Sequence, residues 1–159
     1  MVLGSEAGLP LRRGRRAMTS SRLGQLYVEE ARGRVALVRL ALDKGLWAAT
    51  VREAQECVEL FLKGALRLVA VEPTRTHDVA DVLRREGHRF PEWFASAVDH
   101  LATISTEMAG DRGIAFYGDE RQEIGPQELF DEKDAQRAVR NLEFVALLCE
   151  RLLTESAAP

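Results

Sequence analysis

The sequence predicts an all-α fold, an antiparallel up-and-down bundle of four long helices plus one short one. Three observations predict it. Apolar residues recur at three- and four-residue steps along most of the chain, the period of a helix with one buried face. No segment sustains the two-residue alternation of a half-buried strand. Leu, Ala and Val carry the apolar load while aromatics make up only 6%, a composition suited to helices packed at close range. The 159 residues fit one domain.

Residues 1–20 read as a disordered basic tail, without the apolar stretch of a signal peptide. The bundle is expected over 21–155, with 156–159 as a short tail. The first helix should run from Ser21 to Lys44, with Leu23, Leu26, Ala31, Val35, Val38 and Leu42 on its stripe and Gly45 as its C-terminal cap. The second, Trp47 to Val71, has an unbroken apolar stripe through Ala54, Val58, Phe61, Leu62, Ala65 and Val69, and Pro73 stops it. The third is short, Asp78 to Arg85. Thr76 is placed to cap it, and Asp78 lies in its favourable first turn. The fourth starts at Pro91 and continues to Ala109. The fifth covers Asp131 to Glu155.

Between the last two helices lies "RGIAFYGDERQEIGP", Arg112 to Pro126, with three glycines, a proline and an aromatic pair. It is expected to be an irregular crossing. Ile114 and Phe116 would pack on the core, and Gly118 would permit a tight turn. Loops this long are uncommon without a function, so the segment is also expected to form one wall of any small-molecule site.

The formal charge is −3, and residues 1–17 alone carry +3, which leaves −6 on residues 18–159. An acidic body disfavours general binding of nucleic acid backbones, so RNA is not a favoured partner. Cys57 and Cys149 lie on apolar faces and read as reduced core thiols of a cytoplasmic protein. No apolar run is long enough to span a membrane. No Cys/His spacing suits zinc, and no Glu-x-x-His pair suits a bundle di-metal site. Phosphate-loop and dinucleotide fingerprints are absent as well, so no metal or cofactor is expected.

Two stretches carry polar chemistry. In "AQECVELFLKGAL", Gln55, Glu59 and Lys63 follow each other at four-residue steps and share one flank beside the apolar stripe. This is either a solvated face with a helical ion pair or a polar strip whose lysine meets a phosphate. In "RTHDVADVL", Arg75 and His77 precede a helix start, where outward N–H groups favour an anion. His88 and His100 lack such a setting.

Taken in order, "AQECVELFLKGAL", "THDV", "FPEW", "FYGDE" and "ELFDEKDAQRAVRNLEFV" resemble the HEPN domain family over about Leu26 to Leu153. The resemblance implies a helical bundle that is commonly homodimeric. Many members are metal-independent ribonucleases with an Arg-x(4–6)-His motif on the last long helix. Others bind nucleotides or partner small nucleotidyltransferases in toxin-antitoxin-like pairs. Here Arg140-Asn141 resembles the start of that motif, but Val145, Ala146 and Leu147 stand where the histidine would fall. Proton transfer near neutral pH needs such a group. The resemblance therefore implies a non-catalytic nucleotide- or partner-binding module with no catalytic residues. Lys63, Arg75 and Arg112 are expected to meet phosphate, His77 to add a donor, and Tyr117 to stack on a base. The alternatives are a ribonuclease using Arg84, His88 or His77, and a purely structural dimeric module.

Overall fold

A computed structural model describes residues 10–158, with side chains from residue 20 onward. Among these residues the fold is all-α: α1 (Pro10–Asp43), α2 (Trp47–Leu68), α3 (Ala80–Glu86), α4 (Glu92–Ala95), α5 (Val98–Tyr117), α6 (Pro126–Leu129) and α7 (Glu132–Ser156). A 3₁₀ turn over Gly87–Arg89 joins α3 to the α4 segment. Helix α2 is central, packing on α1, α5 and α7. Its Ala54, Cys57, Phe61, Leu62, Ala65 and Leu66 are fully buried, as the apolar stripe predicts.

Helix α1 starts at Pro10, well before Ser21, because Leu, Arg and Ala are good helix formers even where no apolar stripe exists. Of the tail expected over 1–20, residues 1–9 lie outside the described residues. Gly45, at φ +70°, ends α1 as predicted, with Leu46 N–H bonded to the Ala41 carbonyl. The two helices cross at two facing glycines. A Cβ on Gly24 would stand 2.8 Å from the Gly64 carbonyl oxygen, and one on Gly64 would stand 2.8 Å from Val28 Cγ2. Helix α2 stops at Leu68, short of the expected Val71. There Ala70 takes φ +62° and Val71 N–H reaches back to the Leu66 carbonyl.

The expected fourth helix is two helices. Ser96 Oγ bonds back to the Trp93 carbonyl at the break between α4 and α5, a contact that bends helices. Helix α5 then runs on to Tyr117, so the first six residues of "RGIAFYGDERQEIGP" are helical. Ala115 is the buried residue of that turn, while Ile114 is exposed and Phe116 lies half-buried, which corrects the expected core plug. Gly118, at φ +72°, ends the helix. A Cβ there would collide with the Ile124 carbonyl. The remaining loop closes on itself through Asp119 and Ile124, which exchange backbone hydrogen bonds of 2.9 and 3.0 Å. Asp131 and Asp134 cap α7 reciprocally.

Candidate functional site

The polar flank of α2 carries Arg52, Glu53, Gln55, Glu56, Glu59 and Lys63, and three other segments reach over to it. Gln55 is buried and uses both ends of its amide. Its Oε1 accepts from Arg112 Nη1 of α5 at 2.8 Å, and its Nε2 donates to Glu59 Oε2 at 3.1 Å. That orientation is forced, because a guanidinium only donates and a carboxylate only accepts. Glu59 also accepts from Lys63 Nζ at 2.8 Å and lies 2.9 Å from His77 Nδ1, which comes from the segment before α3. On the other side Arg34 of α1 pairs with Glu56 and, at 3.5 Å, with Glu53. Arg112 stands 3.6 Å from Glu56, which joins the two halves into one chain of charges. The Phe116 ring lies under both Arg52 and Arg112, at 4.6 and 5.2 Å.

Burial pushes the Glu59 carboxyl up, but hydrogen bonds from Lys63 and His77, the Lys63 charge and the Gln55 amide outweigh it. The net effect holds Glu59 below the usual carboxylate range and keeps it anionic. Burial pushes the Cys57 thiol up to about 11, so it is protonated and a poor nucleophile near neutral pH. Cys149 is pushed up for the same reason. No group of three metal-ligating side chains occurs among the described residues.

Of the five residues singled out from the sequence, Lys63, His77 and Arg112 meet in this network. Arg75 is exposed and makes no hydrogen bond or ion pair among the described residues. Tyr117 is also exposed and lines a separate open cavity of about 530 Å³ with Ile114, Gly118, Arg121 and Leu129. The anion site expected at the start of the third helix does not form around His77. Helix α3 begins at Ala80, and the Ala80 N–H is taken by Asp78 Oδ1 at 2.9 Å. Thr76 does not cap it; its hydroxyl bonds to the Asp78 carbonyl. Asp78 instead ties this segment to α5 by accepting from the Ser105 and Thr106 hydroxyls, each at 2.9 Å.

A family model for the HEPN domain matches residues 25–152, about four fifths of the chain. The chain belongs to the HEPN domain family. No curated protein and no solved structure matches it. Among the described residues no helix is long and apolar enough to cross a membrane.

The HEPN match spans the whole α2 network and reaches into α7. On α7 of this HEPN chain, Arg140 is exposed, Val145 is buried and Leu147 points to solvent. The described histidines lie elsewhere: His77 on Glu59, His88 exposed in the 3₁₀ turn, and His100 edge-on to the Phe144 ring at 4.7 Å. Four-residue spacing exposed Gln55, Glu59 and Lys63, but Arg34 and Glu56 were not singled out. Only the α1–α2 pairing brings them together, and no local spacing signals it.

Proposed function

We propose that this HEPN chain is a nucleotide-binding module without hydrolytic activity of its own, and that Lys63, His77 and Arg112 receive the ligand's phosphates. The observation that supports this reading is the convergence of these three side chains, from three segments, on the adjacent pair Gln55 and Glu59. Lys63 and Arg112 each keep N–H donors beyond those used within the network, so a phosphate can be bound without breaking it. Arg75, two residues from His77, adds a contact at the rim. Tyr117 stays outside this reading because the open cavity it lines includes none of Lys63, His77 and Arg112.

Thermal unfolding with ATP and with AMP at millimolar concentration tests the proposal. The melting temperature of the wild type should rise by mass action, and Lys63→Ala and Arg112→Ala should each remove the rise. No rise with either nucleotide refutes it. The non-catalytic half of the reading expects intact RNA after incubation with purified protein. Cleavage abolished by Arg140→Ala, or by alanine at Arg84 or His88, would overturn that half.

A second reading, a partner of a small nucleotidyltransferase in a toxin-antitoxin-like pair, draws on the exposed Ile114, Tyr117 and Leu129 around the open cavity. Co-expression with a nucleotidyltransferase encoded beside this chain should then give a complex that nucleotide does not disturb. Tyr117→Asp should break that complex.

A further inference from the structure

A cavity of about 480 Å³ opens where the α1–α2 turn, the last turn of α5 and the start of α6 meet. It shares no lining residue with the open cavity beside Tyr117. Its space exists because the side chains at its base are small: Gly45, Ala48, Ala49 and Ala115. Two aromatic rings stand over that base, Trp47 from the start of α2 and Phe116 from the end of α5. A Cβ on Gly45 would lie 3.6 Å from the Trp47 ring, so the indole packs directly against the turn. Arg52 is the one charged side chain on the wall, and no carboxylate lines it. The Arg52 guanidinium is half-buried, 4.6 Å from the centre of the Phe116 ring. Its ion pair among the described residues is a 3.3 Å contact with Glu53, the next residue in the chain. A guanidinium has five N–H donors, so most of them stay free for a ligand.

We infer that this cavity binds a planar aromatic carboxylate, with its rings against Trp47 and Phe116 and its carboxylate on Arg52. Apolar and aromatic walls with a few convergent polar groups are the usual form of a small-molecule site, and the volume lies within the usual range. Aromatic rings favour a flat partner, which can stack or meet them edge-on. The charge selects the other half of the ligand. One guanidinium fork matches one carboxylate bidentately, whereas a phosphate dianion or a polyphosphate would leave charge unpaired in a cavity with a single cation. The cavity includes none of Lys63, His77 and Arg112, so the inference goes beyond the proposed nucleotide site and stands or falls apart from it.

Equilibrium dialysis of the full chain tests it with three probes: 2-naphthoate, its uncharged amide, and the saturated decahydro-2-naphthoate. The wild type should bind one 2-naphthoate per chain at submillimolar concentration. The amide should bind about tenfold more weakly, because the charged hydrogen bonds to Arg52 are lost. The saturated acid should bind about fivefold more weakly, because it cannot stack on the rings. Arg52→Gln should erase the preference for acid over amide. Ala49→Leu, a change at a half-buried position, should fill the base and abolish binding. Trp47→Leu removes one aromatic wall and should erase the preference for the aromatic over the saturated acid. Circular dichroism melting curves establish that each variant is folded. Absence of 2-naphthoate binding by the wild type at millimolar concentration overturns the inference. So does binding that folded Ala49→Leu and Trp47→Leu both leave intact, or a preference for the acid that survives Arg52→Gln.

Discussion

Asp78 ties the start of α3 to α5 through a single carboxylate. It accepts from the Ala80 N–H and from the hydroxyls of Ser105 and Thr106, and Ser105 Oγ in turn accepts from the Val79 N–H at 2.9 Å. Burial pushes its pKa up, but these hydrogen bonds and the Arg84 charge outweigh that and hold it below the usual carboxylate range. A carboxyl whose folded pKa is depressed contributes stability above its unfolded value. That contribution fades as pH falls through the folded value. Asp78→Asn should therefore cost about 1–3 kcal/mol near neutral pH, because it leaves hydroxyl or amide donors unmatched. The deficit relative to wild type should shrink once pH drops below about 4, the ordinary aspartate value at which the carboxylate of the unfolded chain begins to protonate, and should vanish once the folded carboxylate is protonated too. Urea unfolding of both proteins at pH 7 and at successively lower pH checks this. A deficit independent of pH would show that packing, and not the charge, holds α3 to α5. Glu59 titrates in the same direction, so Glu59→Gln should lose its own deficit on the same acid side.

At the scale of elements, the two glycines at the α1–α2 crossing make the sharpest prediction. Gly64→Ala places a methyl against Val28 and near the Gly24 carbonyl, and backbone cannot move aside as a flexible side chain can. Overpacking of this kind should cost about 1–3 kcal/mol despite the better helix propensity of alanine. Ala70→Gly should act in the opposite sense. Ala70 occupies the left-handed region at φ +62°, which costs an L-residue about 1–2 kcal/mol and glycine almost nothing, so the substitution should raise the melting temperature. Calorimetry on both variants tests the pair.

The same elements show what sequence reasoning could reach. The stripe of α2, the Gly45 stop and the Asp131 start were legible because each is fixed by its own neighbours. The run of α5 to Tyr117 was not. Gly110 and Gly113 look like breakers, but contacts from Arg112 and Ala115 back to the bundle override their propensity. The candidate site divides along the same line. Gln55, Glu59 and Lys63 could be read as one flank from four-residue spacing. Arg112 could be named but not placed, since its meeting with Gln55 spans 57 positions.

Over the whole molecule, charge and burial separate in a way that truncation can test. Residues 1–17 hold +3 against −6 for the rest. From residue 20 onward, where side chains are described, the first buried position on α1 is Gly24, where the helix crosses the end of α2 near Leu68. The arginines at 12, 13, 15 and 16 precede it by eight positions or more. Deleting residues 1–17 should leave the urea midpoint and its slope within experimental error, since the α1–α2 crossing at Gly24 and Gly64 and the core residues from Val28 onward are all retained. The same deletion should lower the salt concentration at which the protein leaves a heparin column, because an acidic body repels a polyanion that the arginines attract. If the midpoint drops instead, residues 1–17 contribute to the stability of the fold. If heparin retention is unchanged, the basic charge that matters lies on the α2 flank, and Arg112→Ala should then reduce it.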